Sequence, residues 1–292
     1  MSHEADYWTQ IKALVGQIQR ADAIVIGGGS GLSSAAGYNH YHWSPALKEA
    51  LGIFYDTYGF RSPFDGCYYL YSRLEDQWGY YSQYIRFMWE APTGEPYLDL
   101  KEIVGNKPCF VLTTNVDMQF ARVFREEQIC TFQGDFGYYQ CSQPCHDKIY
   151  NNHELIERMH LHLNEVHIPN ELIPRCQECG RIMVPWVRDD TFLEGEVWKS
   201  SVQRYQDFLR QYLLKELDKK VLLLELGVGE MTPSIIKLPF WEITAKNKNV
   251  FYACINQKPS SAPSHLKGKS LYIAQDIKKV LQDVRTLIEE EL

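Results

Sequence analysis

The sequence predicts an α/β protein: a doubly wound parallel sheet carrying a smaller metal-held module and a helical insertion. Three observations lead there. Short apolar runs recur along the chain, each ending in glycine or polar residues and separated by helical patterns, the alternation expected of parallel strands with crossover helices. The first run, Ala23–Ile26, stops abruptly in Gly27-Gly28-Gly29-Ser30-Gly31, which reads as a buried strand feeding a tight turn. In mid-chain, four cysteines (Cys141, Cys145, Cys176 and Cys179) stand at close spacing; this suits a metal better than a disulfide framework.

At 292 residues the chain is long enough to bury a substantial core. Its hydrophobic share of 45% and charged share of 23% are those of an ordinary globular protein. A net charge of −7 argues against a broad phosphate-binding surface, so nucleic acid is not an expected partner. No apolar run has the length to span a bilayer and the N-terminus shows no signal-peptide core, so neither a membrane nor export is expected and the expected location is cytoplasmic.

Taken in order, Tyr7, Trp8, Ile11, Leu14, Val15 and Ile18 fall at helical spacing and predict an amphipathic helix over 5–20. After the glycine turn a helix is expected from near Ser33. The stretch from Tyr38 to Trp89 is dense in tyrosine, phenylalanine and tryptophan, as a helical insertion walling a cleft would be. Cys109–Thr113 is a second strand, ending in Thr114-Asn115-Val116-Asp117. Ile129–Phe132 is a third, running into Gln133-Gly134-Asp135. Residues 138–190 hold the four clustered cysteines, five histidines and scattered prolines. A long amphipathic helix over 197–219 returns to the strand Val221–Leu226, which ends in Gly227-Val228-Gly229. Val250–Ile255 and Leu271–Ile273 are further strands, Lys258–Ser264 is a Pro/Ser loop, and a closing helix begins at Asp276. The expected organisation is one nucleotide-binding unit over 1–40, 105–137 and 218–292, a helical insertion over 41–104, and a small metal module over 138–217.

In such sheets a ligand lies beyond the carboxyl ends of the strands. The unusual residues stand there: the glycine turn, Asn115 and Asp117, Gln133, Gly227–Gly229, Asn256 and Asp276. Small residues and helix-start N–H groups suit a pyrophosphate. An Asn and an Asp two apart at a strand end can share a cleft, Asn holding a hydroxyl or water and Asp accepting from a carboxamide. The same pair also reads as a helix cap, with Asp117 capping a helix that carries Phe120 and Val123.

These motifs resemble those of the sirtuins, and within them the macrodomain-linked microbial branch. Gly29-Ser30-Gly31-Leu32-Ser33, followed by Ala36-Gly37, is similar to the family's Gly-Ala-Gly-Ile-Ser…Ser-Gly. Thr113-Thr114-Asn115-Val116-Asp117 resembles Thr-Gln-Asn-Ile-Asp, Gly227-Val228-Gly229 stands where the family has Gly-Thr-Ser, and Ile255-Asn256 resembles its ribose-contacting Ile-Asn. Asp276-Ile277 resembles its adenine-end segment. The likeness runs through essentially the whole chain in the right order. It implies a Rossmann-like fold, NAD as the cofactor, and a binding set of Gly29, Ser30, Gly31, Leu32, Ser33, Gly37, Tyr41, Asn115, Asp117, Gln133, Gly227, Val228, Gly229, Asn256, Asp276 and Ile277. Gly29, Gly31 and Ser33 would approach the pyrophosphate, and Gly227, Asn256 and Asp276 would line the adenosine half. Asn115, Asp117 and Gln133 would be catalytic.

Two departures matter. The family's catalytic His-Gly is Gln133-Gly134 here, and its Pro-Asp-Phe-Arg is Asn39-His40-Tyr41-His42. Glutamine does not titrate in the working pH range, so Gln133 cannot be the base that deacylation needs, although it can still orient a ribose hydroxyl. Loss of nicotinamide, through an oxocarbenium-like state, needs no such base. The resemblance therefore implies transfer of ADP-ribose to a protein, with a lipoylated glycine-cleavage H-like carrier protein as target and a macrodomain ADP-ribosyl hydrolase as functional partner. A deacylase using His40 or His42 as base is the runner-up, and a sensor that binds NAD or ADP-ribose without turnover is a third reading. A nicotinamide dehydrogenase fits less well, because no acidic residue closes a second strand at the ribose-binding distance.

Cys141-x-x-x-Cys145 and Cys176-x-x-Cys179 form two knuckles that suit a tetrahedral structural zinc, with His146, His153 or His160 as substitutes for one thiol. Four protein ligands leave no open position for catalysis. Cys67, Cys109, Cys130 and Cys254 mostly fall in apolar runs and are expected in the core, with exposure the alternative for Cys67 in the aromatic insertion.

Overall fold

A computed structural model describes residues 2–230, 232–258 and 263–291. Helix α1 (Ser2–Arg20) leads into β1 (Ala23–Gly28), α2 (Ser30–Ala35), α3 (Pro45–Tyr58), α4 (Pro63–Tyr68), α5 (Leu74–Glu90) and α6 (Glu95–Val104). Then follow β2 (Cys109–Thr113), β3 (Ile129–Thr131), β4 (Gly134–Cys141), β5 (Tyr150–Asn151), α7 (His153–Leu161) and β6 (Met183–Val187). The chain closes with α8 (Glu196–Arg210), β7 (Val221–Leu226), α9 (Lys237–Lys246), β8 (Val250–Asn256), β9 (Ser270–Ala274) and α10 (Ile277–Glu290).

Six parallel strands form the main sheet in the order β3-β2-β1-β7-β8-β9. The order reverses direction at β1, where a crevice opens above the strand ends. β1, β2 and β7 are buried at every position, which is why they read as unbroken apolar runs rather than as alternation. One face is covered by α1, α6 and α10 through Ile11, Leu14, Tyr97, Leu100, Ile277 and Val280. On the other face lie α8 and α9; the Phe110 ring sits 5.7 Å from both Tyr205 and Phe208, and Phe240 is fully buried.

The second unit is a three-stranded antiparallel sheet, β5-β4-β6, with α3, α4, α5 and α7. Its core joins Leu47, Phe54, Trp78, Tyr80 and Tyr84 to Ile156, Met159 and Ile173. The aromatic segment and much of the cysteine-bearing segment therefore share one core. By contrast α6 and α8 pack on the main sheet, because each turns an apolar stripe toward it.

β1 runs two residues beyond Ile26: Gly27 and Gly28 pair with Leu112 and Thr113 on one side and Glu225 and Leu226 on the other. α2 starts at Ser30 rather than near Ser33, with Gly29 extended as its N-cap. Cys67 is buried, and burial pushes its thiol far above the ordinary range; it joins Cys109, Cys130 and Cys254 in the core. Of the loop 258–264, residues 259–262 lie outside the described residues; Ser264–Leu266 is a short 3-10 turn.

Candidate active site

The glycines of the first turn are required by a second turn. A Cβ on Gly29 would stand 2.6 Å from the Val228 backbone, and one on Gly31 2.7 Å from Gly227. Gly227 has φ +64° and would meet Gly31 in the same way. Gly29 N–H donates to Leu226 O and Gly31 N–H to Gly227 O, both at 2.9 Å. The close backbone approach read from the sequence is thus made by the Gly227-Val228 turn, and it locks the two crevice turns together.

The end of β2 is fastened to the same place. Thr113 Oγ1 donates to Gly28 O and accepts from Asn115 N–H at 2.9 Å. Asn115 Nδ2 donates to Gly29 O at 3.0 Å, while its Oδ1 has no hydrogen-bond partner among the described residues. Asp117 is 5% exposed. One of its oxygens accepts from Ser33 Oγ at 2.5 Å and the other from Gln119 N–H at 3.2 Å. The second bond holds the turn before the 3-10 segment Phe120–Arg122, whose N-cap is Gln119 without a side-chain cap, so the expected capping by Asp117 is not made. Each carboxylate oxygen keeps a second lone pair for a ligand.

These groups face a cavity of about 300 Å³ lined by Ser30, Ser33, Asn115, Asp117, Gln133 and Gly229, and by the rings of Tyr41, Phe64, Tyr68, Tyr84 and Phe136. The Gln133 side chain makes no protein hydrogen bond among the described residues, while the Gln133 backbone carbonyl accepts from Arg188 N–H at 2.9 Å. Of the other sequence candidates, the Leu32 side chain is wholly buried and its N–H donates to Gly29 O. Gly37 closes α2 with φ +93°. Val228 and Ile277 are core residues. Asn256 donates to Val228 O at 3.1 Å, and Asp276 caps α10 through Lys279 N–H. Gly29, Gly31, Leu32, Gly37, Gly227, Val228, Asn256, Asp276 and Ile277 do not line this cavity; Asn256 and Asp276 instead mark the neighbouring strand ends of β8 and β9.

Two further lining residues carry functional groups, Arg188, which no motif marked, and His40, named from the sequence only as a substitute base. Arg188 follows β6, and its guanidinium lies 4.2 Å from the Phe192 ring centre and 5.3 Å from that of Trp198. It is further held by Glu194 and Phe132 O, giving a fixed cation at the cavity wall. The rings that hold it are scattered along the chain, so no local pattern marks it. His40 lines the cavity as well, whereas His42 is exposed and does not.

At the far end of the antiparallel sheet the ligand atoms of Cys141, Cys145, Cys176 and Cys179 all lie within 4.8 Å of one another. The Cys141–Cys179 and Cys145–Cys176 sulfurs are 3.6 and 3.5 Å apart, close to the ~3.8 Å edge of a tetrahedron with Zn–S bonds of ~2.3 Å. The Arg181 backbone N–H lowers the Cys179 thiol, while the hydrogen bond to Cys179 pushes the Cys145 thiol up to about 12. The four cysteines fit a closed structural zinc. His146 lies beside it, its Nε2 3.3 Å from Cys176 Sγ.

No protein-family model matches the chain. It is 32% identical over 276 residues to a protein ADP-ribosyltransferase of Staphylococcus aureus, covering 93% of this chain and 86% of that protein. It is 28% identical over 247 residues to a probable bifunctional ADP-ribose hydrolase/ADP-ribosyltransferase of Fusarium oxysporum, spanning 76% of this chain but only 38% of that longer protein. Among solved structures, a Sir2 homologue–NAD complex superposes with a TM-score of 0.61 at 13% identity over 96% of this chain and 94% of that one. A mutant Sir2 homologue in complex with ADP-ribose gives 0.63 at 14%, covering 96% of each chain. At such identities the likeness is one of fold.

Proposed function

Because the chain belongs to the sirtuin family, we propose that it is an NAD-dependent protein ADP-ribosyltransferase, in keeping with the activity that names its Staphylococcus aureus relative. The observation that carries this reading is Gln133: the cavity presents an Asn, an Asp and a neutral amide in the place where deacylation needs a titrating base. Ser30, Ser33 and the glycine turn receive the pyrophosphate side. The amide of Asn115 holds the ribose or a water near the bond that breaks, Asp117 accepts from the carboxamide, and Gln133 orients the ribose hydroxyls. NAD supplies the glycosidic bond: nicotinamide leaves with the bonding pair, the acceptor bonds to the same ribose carbon, and any acceptor proton passes to water. Aromatic walls exclude competing water, and the carboxylate of Asp117, close by, favours positive charge as it develops. Asn256 and Asp276 flank the adenosine side. Zinc, held by the four cysteines, stabilises the antiparallel sheet and takes no part in the reaction.

The target we propose is a lipoylated glycine-cleavage H-like carrier protein, in the cytoplasm, with a macrodomain ADP-ribosyl hydrolase reversing the mark. The Fusarium relative, named as joining a hydrolase to a transferase in one chain, supports the pairing. Intact-mass measurement of carrier protein incubated with enzyme and NAD tests the target: the lipoylated form should gain one ADP-ribosyl group and the unlipoylated form none. Equal labelling of both removes the lipoyl requirement, and labelling of neither removes the carrier.

A further inference from the structure

His40 is a polar group of the cavity wall that has no part in the transfer chemistry. His40 Nδ1 lies 2.8 Å from the Tyr84 hydroxyl, with the two rings near perpendicular. Its Nε2 is enclosed and has no hydrogen-bond partner among the described residues. An unsatisfied buried polar atom costs about 1–3 kcal/mol, so a native structure rarely keeps one unless a ligand completes it.

Tyr84 determines what that nitrogen offers. Its hydroxyl is buried, and burial raises the phenol far above its ordinary range, so the proton stays on oxygen. His40 is its one hydrogen-bond partner among the described residues. The O–H therefore donates to Nδ1, and a neutral imidazole so bonded carries its own proton on Nε2. Burial holds His40 in the neutral form, and the charge of Asp117 only partly opposes this. Beside the Gln133 amide and the Arg188 guanidinium, the cavity wall thus carries an N–H donor on His40 and a carboxylate on Asp117.

A planar primary carboxamide needs that pair: its oxygen accepts one hydrogen bond and its NH2 donates to a carboxylate. We propose that His40 reads the nicotinamide leaving group, Nε2–H donating to the carboxamide oxygen while Asp117 accepts from the carboxamide nitrogen. The assignment rests on the cavity being the NAD site, and it makes His40 a donor to the departing ring rather than a replacement base. The family's acidic residue at this place in the motif could only accept when ionised.

Calorimetry on the full chain separates the possibilities, titrating ADP-ribose alone and then nicotinamide into protein saturated with ADP-ribose. His40→Leu should weaken nicotinamide about tenfold and leave ADP-ribose within about twofold, the loss expected for one buried hydrogen bond. His40→Gln, whose amide places an N–H near the Nε2 position, should recover nicotinamide to within about threefold of wild type. Unchanged nicotinamide affinity in His40→Leu overturns the proposal, as does a parallel loss of both ligands that His40→Gln fails to rescue. The expected pattern in a wild-type protein that transfers nothing would sink the transferase reading and leave this one standing. A wild type that binds neither ligand would sink both.

Discussion

The Ser33 hydroxyl donates to the Asp117 carboxylate at 2.5 Å, tying the first helix after β1 to the end of β2. The bond continues a chain: Asp117 accepts from Gln119 N–H, and Gln119 accepts in turn from Gly94 N–H at 3.0 Å. Asp117 is thereby aimed before any ligand arrives. Removing Ser33 should leave the fold and release the carboxylate. Ser33→Ala is expected to lower kcat/KM for NAD by about 10- to 100-fold, the range for a hydrogen bond to a charged group. Wild-type kinetics in this variant would mean that Asp117 needs no such orientation.

Asn115→Ala should abolish turnover while keeping the fold. Its Nδ2 bond to Gly29 O is one of several fastening that turn, so melting should fall by about 2–4 °C, equivalent to about 1 kcal/mol. Full nicotinamide release by this variant would remove Asn115 from the catalytic set.

Metal content tests the cysteine cluster. The purified protein should hold one zinc per chain, and Cys176→Ser should lose it and melt about 10 °C or more below wild type, since the binding energy of such a site is folding energy. Unchanged zinc and melting behaviour would refute a structural metal there.

Asp135 provides a pH-dependent test. Burial pushes its carboxyl up to about 7, with the charge of Asp117 adding and Gly137 N–H opposing. In the unfolded chain the value is about 3.9. The native state therefore keeps a proton that the unfolded state releases. The resulting penalty is absent below about pH 4, grows between 4 and 7 and is complete above 7. Asp135→Asn should match wild-type stability near pH 4 and exceed it by about 2–4 kcal/mol at pH 8. A stability difference that does not change with pH would contradict the buried, protonated carboxyl.

Much of the main sheet was legible because its central strands are buried on both faces, which prints Val221–Leu226 and Cys109–Thr113 as apolar runs ending in glycine or polar residues. The strand ends also directed attention to Asn115, Asp117 and Gln133, which line one cavity, although an Asn or Asp after a strand serves a turn or cap just as readily. The sequence was less clear about what needs the glycines. Gly29 and Gly31 clear the backbone of Gly227 and Val228, a contact between turns almost two hundred residues apart that no local pattern records. Arg188 and the His40–Tyr84 pair were hidden for the same reason: their roles come from rings and hydroxyls brought by distant segments. Cys67 is buried as the core reading expects, although its neighbours Tyr68 and Tyr69 are exposed.

The central claim, transfer rather than deacylation, is tested most directly by product analysis with labelled NAD. Wild-type protein and Gln133→Ala are each incubated with lysate protein and with an acetyl-lysine peptide, and mass spectrometry follows the ADP-ribose. The account predicts ADP-ribose on protein with wild type, loss of that label with Gln133→Ala, and no O-acetyl-ADP-ribose from the peptide. Accumulation of O-acetyl-ADP-ribose with no label on protein would contradict it.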